Sequence, residues 1–340
     1  IKIENDKKLQ KQQFYLLSAL GVLFTTLTIS IFAFRSRQIQ KKLNEQLTKQ
    51  KNNLVQLNAE LHQNHEEIVS QRDYIGQQNH SLNKQKTRIE SSIKVAQTIQ
   101  KALLPSQKNM QLAFQDHFVI YRPKDIVSGD FYWVKQIEDQ VITVVADCTG
   151  HGVPGAFMSL IGINILDSII YKDNITDPKT ILNRLHELFN KVLQDSDSLN
   201  HRVGMDAIVF SVSSFTSEAT KLVYAGAKNP LFYIRAQETQ IHELKGDRKS
   251  VGGFTSSIDS FSNQTITLPK GSLIYAGSDG LKDQNNRERK SFSKHRLIAL
   301  LAKVSLLPLE EQKEEIEQTL EKYMIGTTQR DDMLWVGIKL

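Results

Sequence analysis

VVADCTGHGVPGAFMSLIGINIL occupies residues 144–166 and carries the clearest structural signal in the chain. The segment begins as an apolar, β-branched strand that stops at Asp147. A glycine-rich turn follows and leads into an apolar helix expected to start near Ala156, with Pro154 suited to its first turn. A carboxylate at the end of a buried strand is unfavourable unless it is paired or binds a metal ion. The segment therefore predicts a strand–turn–helix unit in which Asp147 has a chemical role.

Three further acidic motifs lie near predicted strand ends. They are SGD (Ser128–Asp130), SDG (Ser278–Gly280) and RDDM (Arg330–Met333). Each alone is typical of an ordinary turn in which an Asp caps its own backbone. With Asp147 they supply four or five carboxylates and little His or Cys, a donor set that favours the hard cations Mg²⁺ and Mn²⁺ over zinc.

The C-terminal part of the chain has a mixed helix and strand pattern. Short β-rich runs predict strands at 117–121, 131–134, 141–146, 207–212, 222–225, 231–234, 265–268, 273–276 and 333–339. Helical patterns cover 156–171, 178–194, 294–304 and 310–324. Blocks of adjacent strands and paired helices indicate an α+β layered domain, not regular βαβ alternation. The GAKNP motif at 226–230 predicts a hairpin turn between two of these strands.

An uncharged apolar segment occupies residues 14–34, near the start of the chain. At about 1.5 Å per residue, a helix of this length matches a bilayer core. The alternatives are a signal peptide, which usually has a shorter apolar region, and a buried core helix. Basic residues flank both ends, so the positive-inside rule gives only weak support for a cytoplasmic C-terminal side.

A heptad ladder follows the apolar segment and predicts a coiled coil. Its members are seven residues apart: Leu47, Leu54, Leu61, Ile68, Ile75, Leu82 and Ile89, with the register continuing through Ala96 to Leu103. The second seam is mostly amide, with Asn64, Gln71, Gln78 and Gln85. Buried polar seam residues fix register but lower stability, so we expect a marginal parallel homodimer suited to signal transmission. A passive spacer helix is the alternative. Pro105 is expected to end the helix.

The bulk composition is that of a globular protein, with 40% hydrophobic and 24% charged residues in 340. The net charge of +6 is concentrated near the apolar segment, which indicates a membrane-surface effect and argues against nucleic acid as a partner. One cysteine excludes an internal disulfide. Because the chain begins with Ile1, we expect a fragment or a processed product. The predicted organisation is a juxtamembrane segment (1–13), a transmembrane helix (14–34), a coiled-coil signalling helix (35–94), a linker helix and loop (95–110), and a catalytic domain (111–340).

Five segments carry a resemblance to a known family. YRPKDIVSGDFYWV, VVADCTGHGVPGAFMSLIGINIL, LVYAGAKNPLFYIR, GSLIYAGSDGLKD and TQRDDMLWVGIKL resemble the bacterial branch of the metal-dependent PPM (PP2C-like) serine/threonine phosphatases, which includes SpoIIE and RsbU. The preceding IKVAQTIQKALLP is similar to the linker helix of that branch. The resemblance implies an α-β-β-α layered sandwich with two Mn²⁺ or Mg²⁺ ions between the sheets.

The resemblance also implies roles for individual residues. Asp147 would bridge both metals, and the Cys148 backbone carbonyl would stand where the family usually has a glycine. Asp130, Asp279 and Asp331 would complete the ligand set, with Asp332 the weaker candidate. Such a metal pair would acidify a water molecule for in-line attack on phosphorus, so neither a phosphoenzyme nor a Cys nucleophile is required.

Two departures from the family pattern affect the expected chemistry. Thr149 stands where eukaryotic relatives of the family have a His, and His151 lies two residues further along the chain. His151 is therefore a doubtful general acid, and a structural role or a place next to the metal ligands is favoured. The first motif reads SGD where the branch usually has GGD, and the small Ser128 predicts no loss of activity. The position of Asp206, in the GMD motif before a predicted strand, favours a local structural role for this carboxylate over metal binding.

The predicted function is a membrane-anchored protein phosphatase of the inner (cytoplasmic) membrane with its catalytic domain in the cytoplasm. The resemblance implies a phosphorylated regulatory protein as substrate, and anti-anti-sigma (STAS-domain) proteins are typical of the branch. One alternative is a catalytically silent phosphatase-like docking module under coiled-coil control. A cyclase or histidine-kinase output is disfavoured because the C-terminal part lacks a kinase-like glycine-rich loop followed by a strand lysine.

Overall fold

The computed structural model describes residues 2–193, 203–253 and 260–340. These form two compact units, Ile1–Lys86 and Thr87–Leu340. One continuous helix, α1 (Lys2–Leu103), makes up the first unit and the start of the second. It ends two residues before Pro105, as expected from the restriction that proline places on the residue before it.

The apolar residues of α1 are exposed along the single chain. The large apolar residues within 14–34 and the heptad ladder from Leu47 to Ile89 have exposed fractions of about one half or more. Among the residues that the structure describes, two helical stretches could cross a membrane by length and composition alone: Ile3–Ala113, and Gly152–Lys172, which is half buried within the second unit. The first contains the predicted transmembrane segment. Neither the domain limits nor the coiled coil are tested by these observations, and both stay predictions.

The second unit continues with short helices and strands. In chain order they are α2 (Gln107–Ala113), β1 (Asp116–Arg122), β2 (Phe131–Ile137), β3 (Gln140–Cys148), α3 (Gly152–Asp167) with a π-helical extension (Ser168–Lys172), α4 (Pro178–Leu193), β4 (Gly204–Thr216), β5 (Ala219–Ala227), β6 (Leu231–Ile234), β7 (His242–Leu244), β8 (Val251–Gly252), β9 (Gln264–Pro269), β10 (Leu273–Gly277), α5 (Gly280–Asp283), α6 (Ser293–Val304), α7 (Leu309–Tyr323) and β11 (Met333–Lys339). Each strand predicted from the sequence is present, and its limits differ from the expected ones by at most four residues.

The strands form two antiparallel sheets. The first has the order β1-β11-β10-β6-β7, and the second has the order β2-β3-β4-β5-β9, with β8 paired to β4. Strands β2 to β5 pair in chain order within the second sheet, whereas β11, the last strand, lies between β1 and β10 in the first. Because β11 pairs with β10, the RDDM motif before β11 lies close to the SDG motif after β10.

Three hydrophobic clusters show how the layers pack. Side chains from the inner faces of both sheets, such as Val145, Phe210, Ile274 and Val336, form a core between the sheets. A second cluster joins the outer face of the β2–β5 sheet to α3 and α4. A third joins the other sheet to α6 and α7. The predicted α-β-β-α layered sandwich is therefore confirmed.

Two local predictions were wrong. GAKNP (226–230) is not a hairpin turn, because β5 and β6 belong to different sheets and the segment crosses between them. Lys228 there has φ of 59° and donates its N–H to the Asp247 carbonyl, so the crossing is held by a loop distant in sequence. Helix α3 begins at Gly152 and not near Ala156. Positive φ at Gly150 (94°) and Gly152 (68°) lets the chain turn this sharply.

Candidate metal centre

Four acidic motifs meet at one end of the sandwich, contributed by both sheets. Asp130 directly precedes β2 and Asp147 is the penultimate residue of β3, both in the β2–β5 sheet. Asp279 lies two residues beyond β10 and Asp331 two residues before β11, in the facing sheet. Asp331 interacts electrostatically with each of the other three carboxylates. The structure thus brings together the four aspartates selected from the sequence.

Asp147 has the most crowded electrostatic surroundings. It is paired directly opposite Asp206 in the β3–β4 ladder, a position in which like charges repel. Burial and the charges of Asp279 and Asp206 raise the pKa of Asp147 to about 8, while the Asp279 backbone N–H, which donates to its carboxylate, opposes that rise. A positive ion near this carboxylate would relieve the repulsion.

Asp130 is the most deeply buried of the four, with 2% of its surface exposed. Its Oδ2 atom is fully buried and has no hydrogen-bond partner among the described residues. Burial, followed by the charge of Asp147, raises the pKa of Asp130 well above its ordinary value, and a hydrogen bond with the Ser278 side chain opposes this. A buried carboxylate oxygen without a partner is costly, and a bound cation is one way to satisfy it.

Asp331 and Asp332 have different surroundings although they are adjacent. Asp331 is exposed, and its Oδ1 accepts the backbone N–H of Asp332 at 2.9 Å. The two Asp332 carboxylate oxygens accept the backbone N–H groups of Lys124 and Gly129, both at 2.7 Å. Burial raises the pKa of Asp332, and these hydrogen bonds oppose the rise. Asp332 therefore fixes the loop before Asp130.

The carboxylate oxygens of the four aspartates suit a divalent metal ion chemically. Their present positions do not surround a common metal position. Within residues 2–193, 203–253 and 260–340, no group of three or more His, Cys, Asp or Glu side chains is arranged to hold a metal ion as it stands. The unpartnered Asp130 Oδ2 and the mutual repulsion around Asp147 are nevertheless the features that a hard cation would satisfy. Binding would require the carboxylates to turn toward a common centre.

Glycines let the motif backbones approach one another. A Cβ on Gly129 would lie 2.5 Å from the Gly150 carbonyl oxygen, and one on Gly155 would overlap that same oxygen. The SGD loop and the turn after Asp147 are therefore in backbone contact, and the glycines at these two positions are required by packing.

His151 and Cys148 lie close to the aspartates but have their own partners. His151 Nδ1 lies 2.7 Å from Asp125 Oδ2, and its Nε2 lies 2.8 Å from Lys124 Nζ. This half-exposed arrangement orients the imidazole at the start of α3. The Cys148 side chain is buried in the core beneath α3 and α4, and burial raises the pKa of its thiol well above the ordinary value. A thiol of this kind is a poor nucleophile.

Asp206 forms a small polar cluster beside Asp147. Its Oδ1 accepts a hydrogen bond of 2.5 Å from Ser250 Oγ and lies 3.3 Å from Lys228 Nζ. The negative charge of Asp206 also acts on Asp147, and its local structural role stays a prediction.

Several residues near the centre were not identified from the sequence. These residues contact the loops or side chains of the centre, but none belongs to a short acidic motif. They are Gln100, Lys124, Asp125, Lys228 and Ser250. The available signals were weak: the positive φ at Lys228 cannot be deduced from its residue type, and Gln100 lies in a glutamine-rich helix. Ser128, expected only to be tolerated, accepts the Asp130 backbone N–H on its Oγ at 3.1 Å.

The two-sheet sandwich with an acidic centre at one end defines a PP2C-type domain, and comparisons with known proteins identify the family. The model of the family described as stage II sporulation protein E (SpoIIE) matches residues 137–340, and the chain belongs to this family. Phosphoserine phosphatase RsbU of Bacillus subtilis (strain 168) is 26% identical over 200 residues, which are 57% of this chain and 54% of that protein. The match therefore spans about half the length of that curated relative.

Solved structures agree on the fold. The SiaA-PP2C domain of Pseudomonas aeruginosa is 29% identical, with a TM-score of 0.66, covering 75% of this chain and 98% of that one. The PP2C phosphatase domain of SpoIIE from Bacillus subtilis, solved with a fragment of its regulatory domain, is 19% identical, with a TM-score of 0.51 and coverage of 66% and 61%. At that identity the second likeness supports the fold alone.

Proposed function

We propose that this protein is a metal-dependent protein serine/threonine phosphatase acting at the cytoplasmic face of a membrane. The observation that carries the proposal is the convergence of Asp130, Asp147, Asp279 and Asp331 from the ends of both sheets. Family membership supports it, because RsbU, the curated relative, is named a phosphoserine phosphatase.

The residues that would hold Mn²⁺ or Mg²⁺ are the four aspartates and the backbone carbonyl of Cys148. When bound, two such cations would make a water molecule acidic and neutralise negative charge on the phosphoryl oxygens. Backbone contacts position the motifs that carry these carboxylates, chiefly the hydrogen bonds between Asp332 and the loop before β2. The backbone N–H of Asp279 also donates to the Asp147 carboxylate and orients it.

The proposed reaction requires no covalent bond between a side chain of the centre and the phosphoryl group. Cys148 is buried and protonated, so it supplies at most its backbone carbonyl. His151 is held between Asp125 and Lys124; because the Lys124 ammonium can only donate, His151 Nε2 accepts and carries no proton for a leaving group in this arrangement. Its partial exposure also suits contact with a protein substrate.

Asp147→Asn tests the activity directly. With Mn²⁺ and a phosphoserine peptide, we expect the wild-type chain to release phosphate and the variant to lose at least about a thousandfold in rate, since metal-based charge stabilisation is worth several kcal/mol. Asp139→Asn is the matched control, because Asp139 is an exposed carboxylate in the turn between β2 and β3. Undiminished activity in the Asp147 variant would refute the assignment.

The proposed substrate is a phosphorylated regulatory protein, with a STAS-domain protein as the candidate implied by the family resemblance. A phosphoserine or phosphothreonine on a folded partner would have to reach the end of the sandwich where the aspartates meet. Comparing phosphate release from a phosphorylated STAS domain with release from a short peptide of the same sequence would test this choice.

The proposed location and assembly rest on α1. Its uncharged stretch at residues 14–34 suits a single membrane crossing, and its exposed heptad ladder suits pairing with a second copy. We infer a homodimer anchored in the inner membrane, with the phosphatase domain in the cytoplasm. Carbonate-resistant association of the full chain with membranes would support the anchor, and release by carbonate would exclude it.

A second candidate function is a silent docking module with a phosphatase-like fold. It is favoured by one observation: among the described residues, no carboxylate group is already arranged around a metal position. Calorimetric titration of the wild-type chain with Mn²⁺ separates the two candidates. Binding at micromolar concentration supports the enzyme, and no measurable binding supports the docking module.

A further inference from the structure

Gln100 lies in the last turn of α1 and is 2% exposed. Its amide Nε2 donates to the Ser128 carbonyl oxygen at 2.6 Å and contacts Ser159 Oγ of α3 at 2.8 Å. Its Oε1 accepts the Ser128 backbone N–H at 3.1 Å. One side chain of α1 thus pairs with both backbone groups of Ser128 and also contacts α3.

Ser128 in turn holds Asp130. The Ser128 Oγ atom accepts the backbone N–H of Asp130 at 3.1 Å, and the Asp130 carbonyl accepts a hydrogen bond from the Tyr121 hydroxyl at 3.2 Å. Ser128 is itself 1% exposed, so water cannot readily replace the groups that Gln100 pairs. One turn earlier on α1, Gln97 Nε2 donates to the Ile126 carbonyl at 2.7 Å, which attaches the same loop a second time.

We propose that Gln100 is a positioning residue for the metal centre: it sets the Ser128–Asp130 backbone and thereby the placement of the Asp130 carboxylate. This inference rests on the proposed metal-dependent function. A primary amide is required at the position, because the contacts use two donors and one acceptor. Loss of the amide leaves the Ser128 N–H buried and unpaired and its carbonyl with only the long contact to Ser159 Oγ at 3.5 Å, so the loop is expected to shift until other partners are found.

If Gln100 only stabilised the fold, its replacement would lower stability without changing the affinity for Mn²⁺. The experiment therefore measures stability and metal affinity separately. The full chain in detergent is titrated with Mn²⁺ by calorimetry, and the metal-free form is unfolded thermally, for Gln100→Met and for two controls. Gln111→Met makes the same exchange at an exposed position of α2. Leu320→Ala opens a cavity in the hydrophobic cluster beneath α7, which contains no residue of the SGD loop, and supplies a structural loss of stability for comparison.

We expect Gln100→Met to raise the Mn²⁺ dissociation constant by about tenfold to a hundredfold, as for other residues that orient metal ligands. Gln111→Met and Leu320→Ala should leave it within about twofold of the wild type. If the Gln100 and Leu320 variants lose thermal stability alike and both keep the wild-type dissociation constant, the residue is merely structural and the inference fails.

Three further outcomes are informative. Should Gln100→Met show no cooperative unfolding, Gln100→Glu replaces it; this variant keeps an acceptor oxygen but loses both donors, and the same rise in dissociation constant is expected. Wild-type chain that binds no Mn²⁺ overturns the proposed function itself. Wild-type binding that Gln100→Met leaves unchanged overturns only the positioning role.

Discussion

Asp147 is a candidate metal ligand whose pKa is raised by its surroundings. Burial and neighbouring carboxylates raise its pKa to about 8 in the folded protein, whereas in the unfolded chain it titrates near the ordinary value of about 3.9. Between these pH values the folded, metal-free protein keeps a proton that the unfolded chain has released. This contribution to the free energy of unfolding is therefore fully present below about pH 4 and is lost as pH rises toward 8.

Asp147→Asn removes that titration, because an amide resembles the protonated acid. In EDTA, we expect the variant and the wild type to unfold at similar urea concentrations at pH 4.5 and the variant to become progressively more stable than the wild type up to pH 9. With Mn²⁺ in excess above pH 7 the order should reverse, because metal binding requires the ionised carboxylate. A stability difference that does not change with pH would contradict this prediction.

At the scale of single residues, the sequence identified the carboxylates of the candidate centre but not the side chains that position them. The four aspartates could be selected because each lies at or near the end of a β-rich run, and Asp130, Asp147 and Asp279 also have a small residue beside them. Gln100 could not be selected, because its importance comes from contacts with Ser128 and Ser159, 28 and 59 residues away. Glutamine in a polar helix ordinarily faces solvent, so composition pointed away from burial.

At the element scale, Gly280 shows how two strand ends are joined. It begins α5 directly after Asp279, and a Cβ at this position would overlap the backbone carbonyl oxygen of Asp332. The Ser278 N–H also donates to the Leu334 carbonyl at 2.9 Å, so the segment after β10 and the start of β11 lie in backbone contact. Asp279 and Asp331 can approach each other only while this contact is kept.

Gly280→Ala should therefore force the two segments apart. We expect a loss of about 1–3 kcal/mol in the free energy of unfolding, as for other overpacked sites, together with weaker Mn²⁺ binding. Chemical unfolding and calorimetry measure the two effects. Gly76→Ala is the control, because a Cβ at Gly76 meets no atom within 4 Å on α1 and should be neutral or slightly stabilising. Equal stability of the two variants would show that the segments have room to move.

Most elements could be predicted because their patterns are local. Helix α4 has a clear apolar face and was expected at 178–194, close to its observed span of Pro178–Leu193. The error at GAKNP has a physical reason: a glycine-containing turn between two apolar runs does not reveal whether the next strand stays in its sheet. Strand β8, two residues long, depends on pairing with β4 and leaves no pattern of its own.

At the scale of the whole molecule, the exposed apolar ladder of α1 requires explanation. Leu54 and Leu61 have exposed fractions of 60% and 56%, and the ladder repeats over more than six heptads. A repeat of seven residues matches the seam of a two-stranded coiled coil, in which such residues become buried against a second helix. The amide-rich second seam predicts a dimer of limited stability.

Replacing ladder residues should therefore dissociate the dimer. We expect the full chain in detergent to sediment as a dimer at micromolar concentration, and Leu54→Asn with Leu61→Asn to raise the dimer dissociation constant at least about tenfold, since each substitution places a polar group in the apolar seam. Val55→Asn is the matched control: Val55 is 61% exposed and adjacent to the ladder, but does not belong to it. A wild-type chain that sediments as a monomer, or equal dissociation by the control, would show that α1 does not pair through this ladder.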